Sequence, residues 1–542
     1  MSDGDIIIGI DAGTSVIKAV AFTLSGAQIA AAAVPNRYAT TAEGAATQDL
    51  RQTWDDCARA LRGLGDRIKD LAARTAALAV TAQGDGTWLV GADNAPVGDA
   101  WLWLDARAAG TTRQLSASPQ IRAHFHATGT AINTCQMSAQ MAHMDRHCPA
   151  RLDRAEVALH CKDWLYLNLT GIRATDPSEA SFTFGDFRTR TYSEIAIEAI
   201  GLTHRRRLMP EILEGTERTH PLTAAAAEAT GLRTGTPVCL GYVDMVMTAL
   251  GAGVHTGTPG AACSTIGSTG VHMRAVRDTA VRLDRSSGYV ICLPAPGMVT
   301  QVQTNMAATL NIDWALRVAA DLMADLGQPQ DTADLVARID GWMARSAPGQ
   351  ILYQPYISEA GERGPMVNPD ARAGFIGLSA HHRFPDLIRA VVEGLGLAAR
   401  DCYGAMGELP QELRLTGGAA RSQALRQVLA AAVGAPVRVS AREEAGAAGA
   451  AMMAAVAIGA YPDMDACIAE WVTPLLGTAE APDPALTRTY GALFPAFAQA
   501  RDRLEPVWEQ LAQARAAARD PDPATDDTTP AAAGPRAAQG GH

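Results

Sequence analysis

The sequence predicts an α/β fold in which one domain is present twice. The chain has 542 residues, which is too long for a single hydrophobic core. Short apolar segments of strand length alternate with segments of helical periodicity. Two hairpins of one pattern, an apolar strand, a turn of small polar residues and a second apolar strand, begin at Ile6 and at Gly260. A hairpin that recurs far along the chain indicates a duplicated domain.

The first hairpin spans Ile6–Phe22. Its apolar first strand ends at Asp11, a turn containing Gly13 follows, and the second strand carries Lys18 close to the turn. Backbone N–H groups and hydroxyls in such a turn can cradle phosphate oxygens, and glycine lets a ligand approach the backbone. A carboxylate at the strand end suits Mg²⁺ held through water. The alternative is an ordinary N-terminal hairpin with a polar tip.

The next elements lead to a polar loop. The apolar spacing predicts a helix over Asp49–Arg74 and a strand over Ala76–Val80. That strand runs into a loop that contains Gln83 and Asp85, with a glycine on each side of the acid. Loops at the carboxyl edge of a sheet are where α/β proteins bind ligands.

The segment Trp101–Arg107 pairs aromatic side chains with an acid and a base. Trp103 and Asp105 could offer a sugar a flat apolar face and a hydroxyl acceptor. The alternative is a core tryptophan beside a structural Asp–Arg pair. The region from Arg113 to Glu217 is predicted to be mostly helical, including Lys162–Leu169.

A short strand, Pro237–Gly241, precedes Asp244. An aspartate that heads a helix after a buried strand can be an N-cap, or it can project its carboxylate into a cleft. The second hairpin follows: the apolar strand Gly260–Ile266, a turn over Gly267–Gly270, and a second strand from Val271.

The rest of the chain continues the alternation of helices and strands. Helices are predicted over Trp314–Leu326, Thr332–Ala344, Asp386–Asp401, from Gln423 and over Glu444–Gly459, with strands at Ile351–Tyr356, Leu413–Leu415 and Pro436–Ser440. The Gly417-Gly418 pair between strand and helix puts backbone amides at a helix N-terminus, which suits a nucleotide. We place domains at 1–253 and 254–519, and predict that 520–542 is disordered, because its Asp, Pro and Ala cannot build a core.

Composition excludes several classes of protein. The net charge of −11 argues against nonspecific binding to nucleic acid or to membranes. No run approaches the roughly 20 apolar residues of a membrane helix, and nine cysteines without a C-x-x-C pair support neither a disulfide framework nor a zinc site. We expect a cytoplasmic protein. No G-x-x-x-x-G-K-[ST] loop occurs, so any use of ATP would rely on the paired hairpins.

At Ala373–Leu378 and Asp386–Glu393 the sequence resembles the second signature of the FGGY family of carbohydrate kinases. The resemblance extends over about residues 5–510. It implies duplicated actin-like ATPase domains of the ribonuclease H-like type with a cleft between them. The family's first signature is poorly matched, because Gln140–His143 stands where a Lys and a Trp are usual.

The resemblance also implies a phosphoryl transfer from ATP with Mg²⁺, in which the protein supplies alignment and charge neutralisation. Asp244 would be the general base, and Asp11 would hold the metal through water. The residues implied to bind ATP are Thr14, Ser15, Lys18, Gly267, Ser268, Thr269, Thr309, Asp313, Gly417, Gly418 and Ser422. The residues implied to bind the substrate are Gln83, Asp85, Trp103, Asp105 and Asp244. Met245 replaces a glutamine that is frequent in the family.

Within the family the chain resembles most the members that phosphorylate the four-carbon polyol erythritol at a terminal hydroxyl. A xylulose or L-xylulose kinase, acting on a pentulose or pentitol, is the alternative. A protein of another class, an ATP-binding actin-like sensor without turnover, is disfavoured by the presence of Asp244. The expected partner is a small polyol or sugar, with no nucleic acid and no membrane, and a homodimer is left open.

Overall fold

The computed structural model describes residues 5–255 and 260–519. We call these ranges the N-terminal half and the C-terminal half. The predicted tail, 520–542, lies outside the described residues. In both ranges together, no helix combines the length and the apolar character needed to cross a bilayer.

The N-terminal half contains a large sheet, several short ladders and mostly short helices. Its strands are β1 (Ile6–Ala12), β2 (Val16–Thr23), β3 (Gln28–Pro35), β4 (Ala39–Thr40), β5 (Ala46–Gln48), β6 (Thr75–Ala82), β7 (Trp88–Val90), β8 (Ala100–Trp101), β9 (Val157–Leu159), β10 (Ala174–Thr175), β11 (Gly185–Asp186), β12 (Thr191–Tyr192), β13 (Glu211–Ile212), β14 (Thr219–Pro221) and β15 (Pro237–Leu240). Its helices are α1 (Leu50–Gly65), α2 (Leu71–Arg74), α3 (Ala109–Ser116), α4 (Ile121–Thr128), α5 (Met137–His147), α6 (Pro149–Asp153), α7 (Cys161–Thr170), α8 (Pro177–Phe184), α9 (Glu194–Ala199), α10 (Ala224–Thr230) and α11 (Asp244–Gly251).

The C-terminal half has fewer strands and longer helices. Its strands are β16 (Ala261–Ile266), β17 (Gly270–Arg277), β18 (Tyr289–Cys292), β19 (Met298–Asn305), β20 (Leu352–Gln354), β21 (Gly374–Ile376), β22 (Glu412–Thr416) and β23 (Val437–Val439). Its helices are α12 (Thr309–Asp325), α13 (Thr332–Val336), α14 (Ile339–Arg345), α15 (Phe384–Ala405), α16 (Gln423–Val433), α17 (Ala445–Ala457), α18 (Met464–Trp471) and α19 (Pro484–Arg519).

The two large sheets share a core of five strands with the same order and directions. The first has the order β14-β15-β6-β1-β2-β3, and the second has the order β18-β19-β17-β16-β22-β23. In each sheet an antiparallel run of three strands (β1-β2-β3 and β16-β17-β19) continues through two parallel strands (β6 and β15, or β22 and β23). Each sheet adds one antiparallel edge strand at a different end of this core: β14 lies beside the parallel strand β15, whereas β18 lies beside the antiparallel strand β19. The repeated order confirms the duplicated α/β fold.

Helix α11 of the N-terminal half and helix α17 of the C-terminal half pack closely together at small residues. A Cβ at Gly251 in α11 would lie 2.0 Å from the Ala445 carbonyl oxygen, and a Cβ at Gly449 in α17 would lie 2.1 Å from the Met247 carbonyl oxygen. The α17 backbone also reaches β1, where a Cβ at Gly9 would lie 1.9 Å from the Ala447 carbonyl oxygen. These approaches are possible only because the residues have no side chain. Helix α17 thus packs against strands of the N-terminal half.

Several elements differ from those predicted. The helix expected over Asp49–Arg74 is two helices, because Asp70 adopts a left-handed φ of 57° before α2. The helix expected over Thr332–Ala344 is divided into α13 and α14. Strand β3 was not predicted, since its alanine-rich sequence has weak β propensity and no alternation. The boundary placed at residues 253/254 stays a prediction.

Candidate active site

Two aspartates lie at or just after the ends of two strands of the first sheet, β1 and β15, which are separated by β6. Asp11 is in β1, paired in register with Lys18 of β2, and Asp244 is the first residue of α11, just after β15. Burial is the main cause that raises the pKa of Asp244 to about 7, and the charge of Asp11 adds to it. Burial also raises the pKa of Asp11 to about 6, opposed by Lys18 and assisted by Glu444. Both carboxyl groups therefore lie in one anionic environment.

The chemistry of this site fits a hard divalent cation. Negative charges that disfavour each other's ionisation are stabilised by a cation between or beside them. Within the described ranges no cluster of three or more His, Cys, Asp or Glu residues could enclose a metal ion. Mg²⁺ does not require such a cage, since it is held by one or two carboxylates, waters and substrate phosphates. The Asp11 carboxylate faces backbone at Gly446, where a Cβ would lie 2.4 Å from Asp11 Oδ2.

Thr14 connects the first hairpin turn to the residues predicted to bind substrate. Its hydroxyl donates to Gln83 Oε1 at 2.7 Å and accepts from Trp103 Nε1 at 2.9 Å. Gln83 Nε2 donates to Gln48 Oε1 at 2.8 Å, and Gln48 Nε2 returns to the Thr14 carbonyl at 3.2 Å. Thr14, Gln83 and Gln48 thus form a hydrogen-bonded ring, and Trp103 donates to the Thr14 hydroxyl of that ring. Ser15 is exposed beside it.

Lys18 is held by a residue that the sequence analysis did not place in the site. Its ammonium group lies 2.8 and 3.0 Å from the two carboxylate oxygens of Glu444, the residue before α17. Lys18 is 39% exposed and Glu444 19% exposed. The ion pair crosses from the N-terminal to the C-terminal half. Because its partner is 426 residues away in sequence, no local pattern could predict it.

The second hairpin turn is anchored to the start of α12. The Gly267 and Ser268 carbonyls accept from the backbone N–H groups of Thr309 and Ala308 at 3.0 and 2.7 Å. Ser268 and Thr269 are exposed at the tip. This contact brings the predicted residues Gly267, Ser268, Thr269 and Thr309 together. The fifth member of that region, Asp313, is exposed one turn further along α12.

The glycine turn after β22 lies beside the second hairpin. Gly417 has a φ of 86°, and a Cβ on it would lie 2.6 Å from the Ile266 carbonyl oxygen. Gly418 begins a short 3₁₀ turn, Gly418–Arg421. The Ser422 hydroxyl accepts from the Leu425 N–H at 3.3 Å and caps α16, so this side chain orients the helix behind the turn.

Asp85 is buried and only partly satisfied. It adopts a left-handed φ of 58°, and its Oδ2 accepts from Cys135 Sγ at 3.3 Å and from the Tyr289 hydroxyl at 3.4 Å. Its Oδ1 is buried without a hydrogen-bond partner among the described residues. Burial raises the pKa of Asp85. A strained residue with a free buried acceptor is typical of a site that receives a ligand donor.

Asp105 has a different environment from that expected of a substrate ligand. Its carboxylate accepts from the Ala46 N–H at 2.9 Å and from the Arg107 guanidinium at 2.5–3.0 Å. Arg107 stacks 3.6 Å from the centre of the Trp101 ring. This geometry corresponds to the structural Asp–Arg pair that the sequence left open. Trp103, in contrast, is partly exposed and points to Thr14.

A buried ionic cluster is linked by hydrogen bonds to the backbone just before Asp244. Lys162 lies 2.5 Å from both Asp163 and Asp176. Asp176 accepts a hydrogen bond from the Ser178 hydroxyl, and that oxygen accepts from the Val243 N–H at 3.0 Å. The cluster thus fixes the backbone that immediately precedes Asp244. The sequence predicted a helix over Lys162–Leu169 but no role for Lys162.

The two sheets repeat one five-strand core, and each carries a hairpin with a turn of small polar residues. Together with the two aspartates Asp11 and Asp244, this arrangement is that of a two-lobed phosphotransferase of the actin-like ATPase fold. The family comparison agrees with this class. The N-terminal domain model of the FGGY family of carbohydrate kinases matches residues 6–251, and its C-terminal domain model matches residues 262–458. The chain belongs to the FGGY family of carbohydrate kinases, and ATP is its phosphoryl donor.

Individual relatives were also found. The chain is 69% identical to an erythritol kinase of Brucella abortus over 94% of this chain and 99% of the relative. It is 31% identical to a xylulose kinase of Escherichia coli over 78% of this chain and 84% of the relative. The solved structure of gluconate kinase from Lactobacillus acidophilus superimposes with a TM-score of 0.84 at 20% identity, covering 94% of this chain and 99% of that one. That last likeness establishes the fold alone.

Proposed function

We propose that this protein transfers the γ-phosphoryl group of ATP to a terminal hydroxyl of erythritol. The observation that carries the choice of substrate is the 69% identity to an erythritol kinase across nearly the whole of both chains. The xylulose kinase is much less similar, at 31%. The other steps of the proposal are supported by the geometry of the cleft.

In this mechanism Asp244 accepts the proton of the attacking hydroxyl. A pKa of about 7 suits a general base, since the carboxylate is both available near neutral pH and basic enough to take a proton. The Val243 N–H bond to Ser178 and the Met245 N–H bond to Asp244 Oδ1, at 2.7 Å, would hold the carboxylate in place. The proton stays on Asp244 until the product leaves.

The two hairpin turns would hold the nucleotide. Thr14, Ser15 and Lys18 would face the β- and γ-phosphates from one side, and Gly267, Ser268 and Thr269 from the other. Thr309, Asp313, Gly417, Gly418 and Ser422 would form the adenosine side. Asp11 would hold Mg²⁺ through water, and a bound Mg²⁺ would neutralise charge on the phosphate oxygens.

Gln83, Asp85 and Trp103 would line the polyol side of the cleft. Asp85 supplies a buried oxygen, Oδ1, that accepts no hydrogen bond from the described part of the chain, and a substrate hydroxyl can donate to it. The hydrogen bonds of Thr14 with Gln83 and Trp103 would fix the position of the polyol-binding residues relative to the first hairpin turn, which would bind the phosphates. Asp105 would act indirectly, by fixing the loop with Arg107.

The test is ADP release from ATP and Mg²⁺ over a panel of erythritol, glycerol, xylitol, D-xylulose and L-xylulose. We expect the highest kcat/KM with erythritol. A clear preference for a xylulose would mean that a xylulose, and not erythritol, is the substrate. If none of the five compounds stimulates ADP release, the ATP-binding sensor without turnover is favoured. Two further predictions are a cytoplasmic location, which cell fractionation would test, and a homodimer, which light scattering would test.

A further inference from the structure

Three side chains converge on Asp85, and two of them come from the C-terminal half. Cys135 and Tyr289 reach Asp85 Oδ2 at 3.3 and 3.4 Å. Arg363 reaches the Cys135 sulfur with Nη1 at 3.9 Å, and its charge acts on Asp85 to lower that group's pKa against the effect of burial. The surroundings of the free Asp85 oxygen are therefore shared between both halves of the molecule.

Tyr289 is inserted into the N-terminal half. On either side of it the backbone is bound across the cleft: the Gly288 carbonyl accepts from the Ala131 N–H at 3.2 Å, and the Val290 N–H donates to the Thr130 hydroxyl at 3.2 Å. The tyrosine ring packs edge-on against Phe182, with centroids 5.7 Å apart. These contacts fix the backbone and the ring of Tyr289, and so they hold its hydroxyl beside Asp85.

Arg363 is also presented by a fixed backbone. Glu362 Oε1 accepts from the N–H groups of Met306 and Arg363 at 2.9 and 2.8 Å, and Asn305 Nδ2 donates to the Gly364 carbonyl at 2.8 Å. A guanidinium carries five N–H donors. Among the described residues the only hydrogen-bond contact of this guanidinium is the Cys135 sulfur. Most of its donors are therefore available to a ligand in the cleft.

We infer that Arg363 and Tyr289 are specificity-determining residues that complete the polyol site from the C-terminal half. This inference rests on the proposed function, in which Asp244 marks the hydroxyl that receives the phosphoryl group. The groups around Asp85 bind the other hydroxyls: Asp85 Oδ1 accepts from one, the Arg363 N–H groups donate to hydroxyl oxygens, and the Tyr289 oxygen, whose own proton is donated to Asp85 Oδ2, accepts from another. The ligand class is an uncharged polyol, held by acceptors on Asp85 and Tyr289 and by the donors of Arg363, which come from both halves of the chain.

The experiment compares Tyr289→Phe, Arg363→Met and Arg363→Lys with wild type. Tyr192→Phe and Arg345→Met are matched controls: Tyr192 bonds the Pro210 carbonyl at 2.9 Å, and Arg345 is exposed and bonds the Gly341 carbonyl at 3.1 Å. We expect kcat/KM for erythritol to fall about 100-fold in Arg363→Met and about tenfold in Tyr289→Phe, mainly through KM. Arg363→Lys should restore part of the loss. Binding of a fluorescent ATP analogue should stay within about twofold of wild type.

Two results would overturn the inference. One is a kcat/KM for erythritol in Tyr289→Phe and Arg363→Met equal to that of the controls. The other is an equal loss of nucleotide affinity and of thermal stability, which is the signature of a structural role. The wild-type enzyme separates this failure from failure of the proposed function, because an inactive wild type would refute the function before any variant is compared.

Discussion

At the scale of the residue, the proposed role of Asp244 in catalysis is linked to a cost in folding stability. It is the first residue of α11, and its pKa is raised to about 7 by burial and by Asp11. The surroundings that suit Asp244 to the proposed role of general base also make its ionised form unfavourable in the folded state. Two predictions follow from these opposite effects.

The first prediction concerns turnover. Asp244→Asn keeps the size of the side chain and removes the proton acceptor, so we expect ADP release with erythritol to fall by about 10²–10⁴-fold. Nucleotide affinity should be nearly unchanged, measured by titration with a fluorescent ATP analogue. Turnover close to wild type in this variant would exclude Asp244 as the base.

The second prediction concerns stability without nucleotide or divalent cation. The folded-state pKa lies above the ordinary value of 3.8, so the folded protein loses stability as the pH rises from about 4 to about 7. Asp244→Asn removes that penalty. At pH 8 the free energy of unfolding of this variant should exceed that of wild type by on the order of 2 kcal/mol, which corresponds to a Tm about 2–5 °C higher.

That difference should shrink as the pH is lowered toward 4, where the wild-type carboxyl is protonated in both states. Asp321→Asn, an exposed substitution on α12, is the control. The measurement is thermal unfolding from pH 4 to pH 8 in the presence of EDTA. An Asn variant that is less stable than wild type at pH 8 would show that Asp244 is not strained by its surroundings.

At the scale of the element, the β1–β2 hairpin is tied to α17 by the Lys18–Glu444 ion pair. In the proposed mechanism Lys18 faces phosphate, so the carboxylate of Glu444 competes with ATP for the same ammonium group. We expect Glu444→Gln to tighten binding of an ATP analogue about threefold, a size typical of a partly exposed ion pair.

A double-mutant cycle separates this competition from simple charge repulsion. Glu443→Gln removes the same charge from the neighbouring, exposed position and should have a smaller effect. In a Lys18→Met background, Glu444→Gln should no longer change nucleotide affinity. A gain that persists without Lys18 would mean that Glu444 acts on the nucleotide or the metal directly. The measurement is titration of the four proteins of the cycle and of Glu443→Gln with the ATP analogue at one ionic strength.

The crossing of α11 and α17 makes a prediction about packing. A Cβ at Gly449 would lie 2.1 Å from a backbone carbonyl oxygen, so Gly449→Ala must push the helices apart. We expect a loss of about 1–3 kcal/mol in the free energy of unfolding. Gly404→Ala in α15 is the control: no atom lies within 4 Å of the new Cβ, and alanine should be neutral or slightly stabilising there. Equal melting temperatures for the two variants would contradict the tight crossing.

At the scale of the whole molecule, local pattern predicted more of the fold than of the site. The strand ends at Asp11 and Asp244 and both hairpin turns were found because hydrophobic periodicity and turn residues are local signals. The choice between a substrate ligand and a structural pair at Asp105 depended on Ala46, far away in sequence. Likewise, Tyr289 lies 204 residues from Asp85, and only the folded chain brings them together.

The shared cleft also predicts cooperative binding of the two substrates. Asp11, Asp85 and Asp244 come from the N-terminal half, whereas the 267–269 turn, Tyr289 and Arg363 come from the C-terminal half. The first ligand to contact both halves orders them relative to each other. The second ligand then loses less conformational entropy when it binds. We therefore expect the rise in Tm with erythritol and a non-hydrolysable ATP analogue plus Mg²⁺ together to exceed the sum of the separate rises. EDTA should abolish most of the analogue's effect, and glucose in place of erythritol should add nothing. Strictly additive shifts would mean that the two ligands bind without coupling between the halves.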